Sequence, residues 1–424
     1  MNPIVHAGLC QPPKLGLQTQ GTSFIRNGRA FTGIGINHFS LLVRQLVSGV
    51  GPAVDYDADL RAIKQTWGLP FVRFAAGFYS RATWLANWYQ AKSTYFAAFD
   101  AIVAKAEALN IGLIPCLLWD CRGFTDICYT TAGQLQHPSH LATKTSPAYL
   151  LFQEFVADVV TRYRSSPAIW AWDLGNEIVS NAGPEYNSAW LLDGTGTDGG
   201  ATPLPASLNW GTRPDGSNYP TNAKMSLSQW VAFSYAAVRE IQQADGYGRA
   251  VLSGNALGNS FAVGAQTANS LTADTQAKWD SNSATLNMSW LAFRDQAFPT
   301  VNMHTYPQSL SNSQFFSGAE KTQAELIALS RAWADAAGKA FIQAEWGATY
   351  WGDPVDQTST NLATEQANFN AALAAVQANA KVSALWNYGG DLAGSSNWMK
   401  WKVSGPERLY QLQAVATANA AMSN

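Results

Sequence analysis

Glu177 and Glu345 lie far apart in the chain, yet each closes a short apolar run, AIWAWDLGNE at 168–177 and AFIQAEWG at 340–347. Two carboxyl groups facing one another across a cleft are what cleavage of a glycosidic bond needs. One protonates the departing oxygen, and the other attacks the sugar or activates water. A separation of about 5 to 5.5 Å gives a covalent intermediate and retention, whereas about 6.5 to 9.5 Å gives inversion. Other reactive side chains end similar runs. Asn176 precedes Glu177, Trp119 closes IGLIPCLLW at 111–119, His304 and Tyr306 close TVNMHTY at 300–306, and Trp386 stands in VSALWNY at 382–388. Arg73 sits inside the otherwise apolar FVRFAAG at 71–77. A strand that buries an Arg should pair it with one of the carboxylates, since an unpaired charge there costs several kcal/mol. The Arg charge favours an ionised Glu345, and that second negative charge in turn raises the pKa of Glu177. The pair therefore titrates as a unit and predicts a bell-shaped rate profile with an acidic to neutral optimum.

These residues act together only if the elements that carry them converge. Two more runs, FTGIGIN at 31–37 and AVLSGNA at 250–256, complete a set of eight. Near-continuous apolarity marks strands buried on both faces. Helical periods fill the gaps, the clearest being Phe96 to Leu109 and Phe152 to Tyr163, with weaker ones at 60–67, 231–241, 326–337, 369–380 and 409–415. Strand, helix, strand, repeated eight times at roughly 40 to 80 residues, is the pattern of an α/β (β/α)8 TIM barrel. Parallel strands place their C-terminal ends on one face, where the reactive residues collect. The chain then reads as a single domain over 1–424. A hairpin turning at Asn27-Gly28 leads through 24–36 into the first strand. A Gly-, Pro-, Thr- and Asn-rich insertion after the fourth strand, 181–223, is expected to form a loop over the mouth.

Composition excludes several classes. With 424 residues, 47% hydrophobic and 13% charged, a large core is expected, and 34 Gly and 18 Pro without a period exclude collagen and coiled coils. The balance of 27 basic and 29 acidic residues, a net charge of −2, supplies no field for nucleic acid. No apolar stretch is long enough to span a membrane. Only five His and four Cys, without a C-x-x-C, argue against a bound metal, and no cofactor is expected. Cys116, in an apolar strand, should pack as a small hydrophobe. Cys121 and Cys128 share a loop and could bridge in an oxidising compartment. The 17 Trp, 15 Tyr and 19 Phe offer flat faces to a sugar, although core packing is the default for any one ring.

WDLGNEI at 172–178, HTYP at 304–307 and IQAEWG at 342–347, with Arg73 and Trp386, resemble glycoside hydrolase family 5 and its clan A relatives, the cellulase and mannanase group. The resemblance spans residues 24–410. It implies a retaining mechanism with Glu177 as acid/base and Glu345 as nucleophile. Asn176 would hold the sugar 2-hydroxyl, Tyr306 and Arg73 would position Glu345, His304 would lie beside the acid/base, and Trp386 would floor the −1 subsite. Where such members often carry a His near the end of the third strand, this chain has Trp119-Asp120. The implied enzyme is a glycoside hydrolase, endo-acting on a β-1,4-linked mannan or glucan. The implied substrate is a poly- or oligosaccharide, with a monomer and an extracellular or periplasmic location expected.

Alternatives belong to the same residues. A transglycosylase or an exo-β-glycosidase would use the same pair, and a silent glycan-binding barrel would hold it without the alignment. Asp173, deeper on the Glu177 strand, reads as a satisfied structural acid. DGTGTDGG at 193–200 lacks the spacing of a calcium loop, and His137 and His140 read as polar surface. Trp170 and Trp172 read as core, while Trp84, Trp88, Tyr89, Trp210, Tyr350 and Trp351 are divided between core and outer subsites.

Overall fold

Eight parallel strands alternate with helices around the chain. The computed structural model describes residues 14–46, 55–77, 85–119, 123–125, 127–128, 138–178, 227–256, 294–306, 322–348, 359–389 and 402–422. The barrel strands are β4 (Gly33–Asn37), β5 (Phe71–Ala75), β6 (Gly112–Leu118), β7 (Trp172–Gly175), β8 (Val251–Leu252), β9 (Thr300–Thr305), β10 (Ala340–Trp346) and β11 (Val382–Leu385). Each falls inside an apolar run read from the sequence. Their order, β8-β7-β6-β5-β4-β11-β10-β9, puts the first strand beside the last through a parallel β11–β4 ladder. At the remaining seam β8 meets β9, where the Thr300 hydroxyl donates to the Val251 carbonyl at 3.5 Å. The protein is therefore a (β/α)8 barrel.

Helices cover the outside, and their ends are set locally. The helix Pro147–Tyr163 begins with Pro at its first turn and Ser146 as N-cap, whose hydroxyl accepts from the Tyr149 N–H. Thr322 and Glu325 form a reciprocal capping box at the start of Gln323–Ala336. Lys92–Leu109 stops at Asn110, which adopts the left-handed conformation at φ 50°. The apolar faces of these helices and of Ser359–Asn379 pack on outward residues of the strands, for example Phe99, Phe155 and Phe369 against a layer holding Phe74, Leu117 and Trp346.

A small antiparallel sheet closes the lower end: β1 (Leu17–Gln20), β2 (Ser23–Arg26) and β3 (Arg29–Ala30). Asn27 and Gly28 both have positive φ, 52° and 75°, as the two-residue hairpin requires. The strand β1, at 17–20, carried too little apolar alternation to be read from the sequence. It nevertheless plugs the barrel, since Leu17 exchanges backbone hydrogen bonds with Trp170 (2.6 Å) and Ala250 (2.7 Å). The expected insertion at 181–223, DGTGTDGG, Cys121, His137, Trp84, Trp210, Tyr350 and Trp351 lie outside the described residues. Trp88 is core, Tyr89 is exposed, and Cys116 and Cys128 are buried free thiols. Among the described residues, no helix is long and apolar enough to cross a membrane.

Candidate active site

Arg73 organises the upper end of the barrel. Pointing inward from β5 and almost wholly buried, it spends every guanidinium nitrogen on an acceptor. Nε donates to Asp173 Oδ2 at 2.6 Å, Nη1 to Glu345 Oε1 at 2.7 Å and to Asn37 Oδ1 at 3.0 Å, and Nη2 to Asn176 Oδ1 at 2.8 Å. The sequence argument expected Arg73 to take one of the two cleft carboxylates. The structure gives it Glu345 and also Asp173, so the acid read as structural is a direct partner of the site. The two anions raise the Arg73 pKa against burial, which lowers it, and the guanidinium is permanently charged.

Glu345 is held at both oxygens, Oε1 by Arg73 and Oε2 by the Tyr306 hydroxyl at 2.7 Å. Glu177 is held differently. It is partly open to the cleft, and its Oε1 lies 3.0 Å from His304 Nδ1, which is itself 3.5 Å from Glu345 Oε2. Burial pushes the His304 pKa down to about 3, so the imidazole is neutral at any working pH. In one tautomer its Nδ1–H donates a hydrogen bond to an ionised Glu177, and in the other the Nδ1 lone pair accepts one from a neutral Glu177.

Glu177 stands just past β7 with φ 51°, in the left-handed region where a non-glycine residue costs about 1 kcal/mol. Two contacts hold it there. Its N–H donates to the Gly254 carbonyl at 2.8 Å, and Gly254, also at positive φ, passes so near the Gly175 carbonyl that any side chain would collide.

Electrostatics distinguish the two acids, with one correction to expectation. Burial raises both pKa values above the ordinary Glu range. For Glu177 the main cause is this burial rather than the negative charge of Glu345, and only Arg73 opposes it. For Glu345, Arg73 and the Tyr306 hydroxyl pull back towards the ionised form. Arg73 favours an ionised Glu345, as expected, but desolvation at the barrel axis outweighs that attraction.

Aromatic rings wall the same space. Phe39, Trp119 and Trp386 form a cluster with Tyr306 against it. Phe39 stacks on Trp386 at 5.9 Å between centroids, and Trp119 lies 6.1 Å from Trp386. The Arg73 guanidinium lies 5.2 Å from the Trp119 ring centroid. Trp170 and Trp172 are core, as read. All eight residues singled out from the sequence thus meet at one end of the barrel. Sequence reasoning missed Asn37, Phe39 and Gly254. Asn37 could have been found, since it ends the first run as Asn176 nearly ends the fourth.

Glu177, His304 and Glu345 offer ligand atoms within 4.8 Å of one another, a spacing that a divalent cation could bridge. The donor set fits such an ion poorly. Both Glu345 oxygens already accept hydrogen bonds, and the Arg73 charge is 2.7 Å away.

No family model matches the sequence, and no curated protein does. Solved structures do match. The chain is similar to an endo-1,4-β-mannanase from Rhizomucor miehei at 16% identity and TM-score 0.56, over 96% of this chain and 99% of that one. It is also similar to a glycoside hydrolase family 5 mannosidase from the same organism, at 11% identity and TM-score 0.60 over 96% and 98%. A β-glucanase from Saccharophagus degradans aligns at 14% identity and TM-score 0.53 over 97% and 95%. What the three share with this chain is the barrel architecture along nearly its whole length.

Proposed function

We propose that this chain is a retaining β-glycoside hydrolase of the family 5, clan A type, forming one catalytic domain and endo-acting on a β-1,4-linked mannan or glucan. The observation that carries the reading is the unequal treatment of two adjacent carboxyls. One is clamped by Arg73 and Tyr306, and the other is partly open and, among the described residues, faces a neutral imidazole. Their nearest oxygens are within 4.8 Å, which supports the short carboxyl spacing of a double displacement over the longer spacing of inversion.

In this mechanism a Glu345 oxygen attacks the anomeric carbon while the bond to the leaving oxygen breaks and takes the Glu177 proton. The ester at Glu345 is then hydrolysed by water, whose proton returns to Glu177. Arg73 and Tyr306 aim the nucleophile. His304 responds to the charge on Glu177 without itself becoming charged. Asn176, its carbonyl oxygen already taken by Arg73, meets a sugar hydroxyl through its amide nitrogen, while Trp386 and Trp119 present ring faces. A polymer substrate cannot cross a membrane, which supports action outside the cytoplasm. The likeness to a mannosidase supports exo action as a second reading.

The test compares wild type, Glu345→Gln and Glu177→Gln for reducing-end release from mannan, glucomannan, mixed-linkage glucan, cellulose and xylan. Activity on one polymer, reduced at least about a thousandfold in each variant, is expected. Product length separates endo from exo cleavage. Full activity in Glu345→Gln would overturn the mechanism.

A further inference from the structure

Glu345 faces the cleft because β10 contains one residue too many. Against β9, Gln343 pairs with Met303 but Glu345 pairs with His304; against β11, Gln343 pairs with Ser383 but Trp346 with Leu385. Both neighbours therefore register a bulge at residues 344–345. Below it the alternation is regular, with Ala340, Ile342 and Ala344 in the barrel interior and Phe341 outside. Without the extra residue the next inward position after Ala344 would be 346, and Glu345 would point at the helices. Instead Glu345 turns inward to Arg73 and Tyr306, and Trp346 turns out to stack on Phe369 at 5.7 Å.

A bulge removes backbone groups from the ladder, and buried carbonyls need other donors. Two side-chain amides supply them from opposite faces of the strand. Asn37 Nδ2, inside the barrel, donates to the Ala344 carbonyl at 2.8 Å. Gln343 Nε2, on the outer face, donates to the Glu345 carbonyl at 2.7 Å and to Thr305 Oγ1 at 3.0 Å. Gln343 is fully buried, and both of these acceptors lie on β9 and β10 themselves.

We propose that Gln343 is a positioning residue for the reaction: from behind the sheet, its amide pins the β10 bulge that turns Glu345 towards the substrate. The inference rests on Glu345 being the nucleophile, and a displaced carboxylate would lose the Arg73 and Tyr306 hydrogen bonds together.

Gln343→Met keeps size and burial and removes the donor. A 1 Å displacement of a reacting group costs on the order of a hundredfold in rate, so turnover should fall roughly 10- to 100-fold with KM little changed. The midpoint of the Glu345 carboxyl, followed by carbon NMR of labelled glutamate, should rise as its partners are lost, carrying the acid limb of the rate profile with it. In a cycle with Tyr306→Phe, the two losses in rate should be less than multiplicative, because both act through the same carboxylate. If Gln343→Met does not fold, Gln343→Glu serves. A protonated carboxyl at that position donates one hydrogen bond and an ionised one donates none, so activity should fade as the new carboxyl ionises.

The NMR midpoint keeps the two ideas apart. A wild type inactive on every glycan, with a midpoint that still moves in Gln343→Met, would sink the hydrolase reading and leave the positioning intact. An unmoved midpoint and turnover within threefold of wild type in a folded variant would overturn the role of Gln343.

Discussion

The two halves of the barrel interior are built from the same strands a pleat or two apart, and they use opposite physics. In the lower half Phe71, Ile114, Trp170, Leu252, Ile342 and Val382 join Leu17 and Phe24 of the small sheet in an apolar plug. One step up the same strands, Phe71 gives way to Arg73, Ala171 to Asp173 and Ala344 to Glu345. The lower half gains roughly 25 cal/mol for each Å² of apolar surface removed from water. The upper half gains little from burial, because desolvating an Arg and two carboxylates costs nearly what their attraction returns. What it gains is geometry: one guanidinium fixes four polar side chains around it. Stability and function are thus divided along the barrel axis, and the stable half holds the strands on which the costly half is displayed.

Removing the centre of the upper half should break this division most severely. Arg73→Met leaves Asp173 and Glu345 buried without their counter-charge, so urea unfolding should show a loss of about 3 to 5 kcal/mol, with turnover almost abolished. Adding Asp173→Leu should restore much of the stability, because the upper half then resembles the lower, and none of the activity. A double variant no more stable than the single one would mean that the network, not the plug, holds the barrel together.

The reciprocal change is Trp170→Ala. The Trp170 ring carries Arg26 3.9 Å above its face and Phe31 at its edge, and Gly112 presses on it too closely to bear a side chain. A loss of about 3 to 5 kcal/mol is expected from the cavity, with kcat of the folded enzyme within twofold of wild type. A large fall in kcat would show that the halves are coupled.

A gentler change is Tyr306→Phe, which takes one of two partners from Glu345. Turnover should drop roughly 10- to 100-fold. The acid limb of the rate profile should move to higher pH, since the hydroxyl bond favours the ionised carboxylate. On the proposed mechanism, the wild-type acid limb should report Glu345 losing its proton and the alkaline limb Glu177 losing its own. Burial raises both, so the bell sits above the ordinary Glu range. A flat profile from pH 4 to 9 would contradict it.

The smallest effect sharpens the contrast. Burial raises the folded-state pKa values of Asp173, Glu177 and Glu345. A group raised in this way stabilises the fold below its unfolded pKa and loses that contribution as pH rises through the folded one. Glu345→Gln should therefore unfold at a slightly higher temperature than wild type at pH 7. The difference should vanish below about pH 4, where both states are protonated. Calorimetry at the two pH values measures it, and a variant less stable at pH 7 would show that Glu345 contributes to the fold as an anion.

Much of this was legible in the sequence for definite reasons. Strands buried on both faces must be continuously apolar, so β4 to β11 announced themselves, and polar residues near their C-terminal ends were expected at the mouth. Arg73 in an apolar run required an anion. The strand β1 escaped because it is short and half exposed, its role being a backbone exchange with Trp170 and Ala250 that leaves no side-chain pattern. The Glu177 pKa was given the right direction and the wrong principal cause, because the depth of burial is a property of the folded surroundings.

Residue types, periodicity and the order of the runs determined the (β/α)8 barrel and the set of side chains gathered at its C-terminal face, because hydrophobic burial acts on local patterns that a sequence displays. Only the tertiary structure decided which carboxyl is clamped and which is open, that Arg73 takes Asp173 as well as Glu345, and that a single extra residue in β10 turns Glu345 inward. Those outcomes depend on hydrogen bonds between residues hundreds of positions apart, and on a strand register fixed only when both neighbours are in place.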